Sequence, residues 1–172
     1  DSSMGFSTLD GIPMATRCGA LDPGVLLHLL GPLGRTITEV EDTLYHQSGL
    51  LGVSGISADS RELLMSDQPE AREALALFTF RIAGEIGRLA ATLGGIDALV
   101  FTAGIGEHQP QIRAEICDRL AWLGLKLSPA ANAANAEEIS TRSSPVSAYM
   151  IPTNEEQVIA DEAFSVLNER AP

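Results

Sequence analysis

From Asp97 to Arg113 the chain reads D-A-L-V-F-T-A-G-I-G-E-H-Q-P-Q-I-R. Ala98, Leu99, Val100 and Phe101 are continuously apolar, the pattern of a strand buried on both faces. Gly104 and Gly106 follow at once, and glycine lets backbone N–H groups approach a ligand closely. Pro110 then suits a first helical turn. A helix starting over Gln109 to Arg113 offers free N–H groups and partial positive charge, which favour an anion. The stretch therefore describes a strand, a glycine turn and a helix start shaped to hold phosphate, with an ordinary strand-to-helix turn as the alternative.

Upstream, the apolar positions Ala71, Leu75, Phe78, Ile82, Ile86, Leu89 and Leu93 recur at spacings of three and four, which predicts one long helix from Pro69 to Gly94-Gly95. Asp22-Pro23 predicts a shorter helix with Val25, Leu26, Leu29 and Leu30 on one face, stopped by Gly31-Pro32. Thr38 and Glu41 have capping-box spacing, so a second helix is expected to begin near Thr38, with Val40 and Leu44 on its buried stripe. Leu50 to Ser57 is apolar and glycine-rich, a short strand or a loop. Downstream, Ile112, Ile116, Leu120 and Leu123 share one side of a helix. The alanine- and asparagine-rich stretch after Ser128-Pro129 is expected at the periphery. Ala148 to Ile151 is a short strand, and Thr153-Asn154 opens a last helix. Helices alternating with short apolar strands indicate an α/β layered domain with parallel connections.

The chain has 172 residues, 45% of them hydrophobic, enough for a packed core. Eleven basic against twenty-three acidic side chains give a formal charge of -12, with no Lys/Arg run to follow a nucleic-acid backbone, so nucleic acid is not an expected partner. No apolar run reaches the roughly 18 residues of a membrane span, and a cytoplasmic protein with no membrane partner is expected. Cys18 and Cys117 lie far apart and read as buried, reduced thiols.

Four polar clusters carry candidate chemistry, and each has a plain structural alternative. Arg17, in the small-residue run from Gly11 to Gly19, presents a guanidinium fork suited to phosphate oxygens, or is a solvated loop arginine. In Ser57 to Arg61, Asp59 could bond a ribose hydroxyl while Arg61 lies flat on a base. The alternative is a helix N-cap with an ion pair. In Gly104 to His108 the glycines offer backbone donors, and His108 is a catalytic base or a polar loop side chain. In Pro152 to Glu156 a carboxylate beside phosphate could hold Mg2+. There Thr153 and Glu156 also have the spacing of a capping box.

Taken together and in order, these clusters resemble the acetate kinase family, within the actin, hexokinase and Hsp70-like phosphotransferase fold. D-S-S-M-G-F-S-T-L-D-G-I-P-M-A-T-R-C-G-A-L-D-P is similar to that family's arginine-bearing signature, F-T-A-G-I-G-E-H to its second phosphate loop, and I-P-T-N-E-E to its carboxyl-terminal acid motif, with S-G-I-S-A-D-S-R between them. The resemblance implies an α/β, ribonuclease H-like (actin-like ATPase) lobe, a partial mixed sheet flanked by helices with its opening strands missing. It implies a nucleotide-binding lobe over residues 1–153, truncated at its start, and a terminal helix over 154–172 that would return to an absent amino-terminal lobe.

By the same resemblance, ATP and Mg2+ are the cofactors. Arg17 stabilises the phosphoryl group in flight, Asp59, Ser60 and Arg61 line the adenosine pocket, Gly104, Ile105, Gly106, Glu107 and His108 cradle the nucleotide phosphates, and Glu155 positions the metal. The implied reaction is ATP plus acetate giving ADP plus acetyl phosphate, with propionate as a second acid and a homodimer as the assembled enzyme. Family members are longer, and their amino-terminal part supplies the acid-binding arginine, the catalytic histidine and aspartate, and a metal-binding asparagine. The chain is therefore expected to be a carboxyl-terminal fragment with an exposed sheet edge. A stand-alone, non-catalytic nucleotide- or phosphate-binding module is the alternative. His108 stands where many relatives carry asparagine, and Ser60 where some carry an aromatic residue.

Overall fold

Along the chain, the computed structural model describes residues 2–169, without the side chains of residues 155, 168 and 169. Its elements are α1 (Pro23–Leu30), α2 (Ile37–His46), α3 (Gly49–Ser54), α4 (Ser60–Met65), α5 (Pro69–Leu93), β1 (Ala98–Phe101), α6 (Ala103–His108), α7 (Pro110–Arg119), α8 (Pro129–Ala133), β2 (Ser147–Met150) and α9 (Glu155–Glu169). A single 3-10 turn, Ala121–Leu123, follows α7.

The long helix forms where its periodicity placed it. Pro69 occupies its first turn, and Gly94 ends it in the left-handed conformation at φ 80°, which glycine adopts without a Cβ clash. Its Ala71, Ala74, Leu75 and Phe78 are buried and α5 packs against α3, α4 and α7. Ile112 and Ile116 from α7 and Leu120 just after it, with Phe101, Ala148 and Met150 from the strands, complete the core.

β1 and β2 pair in parallel, Ala98 opposite Ser147 and Phe101 opposite Met150. Isolated antiparallel bridges beside this parallel pair join Glu138 to Tyr149 and Leu127 to Ser140. The expected burial of β1 on both faces is corrected. Leu99 and Phe101 face the helices, whereas Ala98 is exposed and Val100 is 49% exposed, because the helical layer covers one face only. The edge of β1 away from β2 has no ladder partner among the described residues.

Several local expectations change. The second helix is capped by Thr36, not Thr38: the Thr36 side chain accepts from the Glu39 N–H while Glu39 accepts from the Thr36 N–H and hydroxyl. Arg35, 3.5 Å from Glu39, reinforces that earlier box. Leu50 to Ser54 is neither strand nor loop but helix α3, because carbonyls of a distant loop cap it: Met14 O and Ala15 O accept from the N–H groups of Leu50 and Leu51. On α1 the apolar stripe forms but stays uncovered, with no buried residue. Cys117 is buried and its thiol is pushed up to about 12 by desolvation, whereas Cys18 is only half-buried. No helix among the described residues is long and apolar enough to cross a membrane.

Candidate functional site

The glycine stretch after β1 is more ordered than a turn. Helix α7 starts at Pro110 with Gln109 before it, as expected, but the glycine stretch ahead of it is itself a helix, α6, which begins at Ala103 and contains both glycines. The two glycines have different duties. A Cβ on Gly106 would meet the carbonyl carbon of Phe101 at 3.2 Å, so its smallness seats α6 against the strand. A Cβ on Gly104 would meet nothing within 4 Å, so that position stays open for an approaching group. Ala103 holds φ 59°, an uncommon conformation for a residue with a Cβ and the kind that clusters at functional sites.

Arg113 anchors this segment. It is fully buried, and all five of its N–H donors are used. Nη1 donates to Gly106 O at 2.7 Å and Glu107 O at 2.9 Å, Nε to Asn132 Oδ1 at 2.7 Å, and Nη2 to Asn132 O at 2.7 Å and Asn135 Oδ1 at 2.6 Å. The carbonyls at the carboxyl end of α6 are electron-rich and favour a cation, and desolvation lowers the guanidinium pKa. The alanine- and asparagine-rich stretch is therefore not peripheral, since Asn132 is buried and fastens α8 to the site. Sequence reasoning missed Arg113 because an arginine on a helix reads as solvated. Five neutral acceptors drawn from two stretches, 106–107 and 132–135, carry no local signal.

Glu107 bridges in the other direction. One carboxylate oxygen, Oε1, accepts from Ala103 N at 2.8 Å, Thr153 N at 2.9 Å and the Thr153 hydroxyl at 3.2 Å. The Thr153 N–H, more than any other group, holds this carboxyl below the usual range. The third and fourth sequence clusters thus meet at one oxygen, and Glu107 positions backbone rather than facing a ligand with its full charge.

Asp59 caps α4, accepting from Arg61 N at 2.8 Å, and pairs with the Arg61 guanidinium at 2.5 Å. The Arg61 side chain lowers the Asp59 pKa and Asp59 raises that of Arg61. The cap and ion pair form as the structural alternative has it, and the pair also lines a cavity. That cavity, about 640 Å3, is walled by Ala58, Asp59, Ser60 and Arg61 on one side and by Gly104, Ile105, His108 and Gln109 on the other.

Arg17 does not line that cavity. Its loop packs on α2 and α3, with Thr16 Oγ1 donating to Tyr45 O at 2.8 Å and Ser48 N to Thr16 O at 2.9 Å. A Cβ on Gly49, whose φ is 61°, would lie 2.1 Å from Met14 O, so glycine there permits the close contact. Among the described residues no carboxylate lies within ion-pair distance of the Arg17 guanidinium, whose recorded side-chain contact is Met14 Sδ at 3.7 Å. Glu155 opens α9, and its side chain lies outside the described residues. Among the described residues no three His, Cys, Asp or Glu side chains converge as a metal cage.

The Acetokinase family model matches residues 1–161. The chain is 58% identical over 161 residues to the acetate kinase of Rhodopseudomonas palustris strain TIE-1, covering 92% of this chain and 40% of that protein. It is 49% identical over 166 residues to the acetate kinase of Rickettsia prowazekii, covering 96% and 43%. Among solved structures, Porphyromonas gingivalis acetate kinase superposes with a TM-score of 0.87 at 34% identity, over 96% of this chain and 43% of that one. A propionate kinase from Francisella tularensis does so with a TM-score of 0.87 at 37% identity, over 93% and 42%. The chain thus spans between 40% and 43% of the length of these relatives. On a match covering nearly its whole length, and a fold shared with two solved kinases, this chain belongs to the acetokinase family.

Proposed function

We propose that the chain is the nucleotide-binding portion of an acetate or propionate kinase, which transfers the terminal phosphoryl group of ATP to a carboxylate. The observation that carries the reading is the single cavity joining the Ala58 to Arg61 segment with the Gly104 to His108 segment. Adenosine occupies that cavity, with Asp59, Ser60 and Arg61 along one wall. Its phosphates run toward the open face of Gly104 and the first turn of α6, and His108 stands at the exposed rim. The assembled enzyme is a cytoplasmic homodimer, and α9 returns to a lobe that carries the acid site.

An oxygen of the acid's carboxylate forms a bond to the γ-phosphorus as the bond to the bridging oxygen breaks, and ADP leaves. Such a transfer asks the protein for positioning and charge neutralisation rather than a nucleophile. Arg17, a cation without a carboxylate partner among the described residues, supplies charge to the phosphoryl group in flight. Mg2+ usually takes one or two carboxylates together with phosphates and water rather than a protein cage. The resemblance gives Glu155, at the start of α9, the role of that carboxylate. When bound, Mg2+ would supply positive charge that offsets the charge of the phosphates.

The test is acyl phosphate formation by the protein carrying this chain at the length of its relatives. Arg17→Ala is expected to lower kcat on the order of 10³-fold, as loss of a transition-state arginine does. Unchanged turnover would remove the role given to Arg17. Separately, calorimetric titration with ADP is expected to lose affinity on Gly104→Val, and retained affinity would empty the cavity of its nucleotide.

A further inference from the structure

A buried polar atom without a hydrogen-bond partner is uncommon, because folding strips it of water and returns nothing. Among the described residues one buried side-chain atom is in that position, Gln109 Oε1. Gln109 is 5% exposed, joins α6 to α7, and lines the cavity assigned above to the nucleoside. Its Nε2 donates to Ser60 Oγ at 2.7 Å, across 49 residues of sequence, and Ser60 is itself 4% exposed.

That bond fixes the plane of the carboxamide. With the nitrogen end held by Ser60, the end left over is an acceptor. Packing alone does not call for glutamine, since methionine would fill a similar volume without burying an unpaired oxygen. The charged pair in the lining is satisfied internally, Asp59 being paired with Arg61. The terminal torsion of glutamine is soft, so a rotation about it can turn Oε1 toward a ligand group.

The nucleoside carries the complement. Adenine bears an exocyclic amino group, a donor, at the position where guanine and hypoxanthine bear a carbonyl, an acceptor. Facing Oε1, the amino group makes a hydrogen bond, whereas a carbonyl sets two acceptors against each other and leaves both unpaired. We propose that Gln109 reads the nucleobase, its Oε1 accepting from the adenine amino group while Ser60 holds the amide in the orientation that presents an acceptor. This rests on the assignment of the cavity to ATP, and it adds a specificity-determining residue to that site.

The experiment compares ATP with ITP, which differ at that ring position, as phosphoryl donors for acetate in the protein at the length of its relatives. The unsubstituted protein is expected to prefer ATP in kcat/KM on the order of tenfold, the worth of one such buried hydrogen bond. Gln109→Met is expected to bring the ratio to within about twofold by loss on ATP with no loss on ITP, with the KM for acetate unmoved and the melting temperature unchanged or raised. Ser60→Ala, a milder change, is expected to lower the ratio as well, because the freed amide can turn to present its donor. Equal losses on both nucleotides, or a preference untouched in both variants, would overturn the proposal while leaving the ATP site standing. A protein that uses neither nucleotide would overturn the site and this inference together.

Discussion

Two of the helices, α5 and α9, carry apolar residues at helical spacing, and they meet opposite fates. On α5, Ala71, Ala74, Leu75 and Phe78 are buried against α3, α4 and α7. On α9, Val158, Ile159 and Leu167 are exposed, and Phe164 is 69% exposed. The contrast teaches that periodicity reports a need for cover but not where the cover comes from. Helix α1 makes the same point, with Val25, Leu27 and Leu30 all exposed. The accessible surface, 10794 Å2, exceeds by about a third the roughly 8,100 Å2 expected of a packed monomer of this mass. The excess fits apolar faces that other parts of a longer protein would cover.

The comparison can be broken at its strong end first. Phe78→Ala in α5 is expected to destabilise the isolated chain by about 3–5 kcal/mol, the range for emptying a buried aromatic site, read from the urea midpoint. Arg113→Met should cost about 3 kcal/mol, because it strands several buried carbonyl and amide oxygens at once. A loss under about 1 kcal/mol would show that the cluster around it is not held by the guanidinium.

Smaller and pH-dependent is the effect of Glu107. Its folded pKa lies below the ordinary value of 4.5, so its contribution is complete above that value and is lost as pH falls through the lowered one. Glu107→Gln is expected to flatten the acid limb of the stability profile measured from pH 7 to 3, and an unaltered limb would refute the link. Smallest of all, Phe164→Ala on α9 should change the stability of the isolated chain by less than about 0.5 kcal/mol, as for a solvated surface site. A large loss would mean that α9 finds cover within the chain and would dissolve the contrast.

What the sequence disclosed follows the range over which each cause acts. The bounds of α5 were legible because Pro69 and Gly94 act locally. So was the order of the four clusters. The start of α2 was misplaced because Thr36-Glu39 and Thr38-Glu41 both have box spacing, and the neighbouring Arg35 favours the first. Helix α3 was hidden because its amino-terminal N–H groups are satisfied by carbonyls from Met14 and Ala15, a contact no local window contains. At the candidate site, Asp59, Ser60, Arg61 and the segment from Gly104 to His108 were named through the family resemblance of their motifs. Gln109 and Arg113 were not, since a polar residue declares its burial only once distant segments enclose it.

The oxygen shared by Ala103 and Thr153 has a mechanical meaning. Helix α9 starts two residues after Thr153, so its swing about that point pulls on the same carboxylate that seats the strained first residue of α6. Helix and glycine segment thus share one anchor, and a displacement at the start of α9 reaches the first turn of α6 through a single atom.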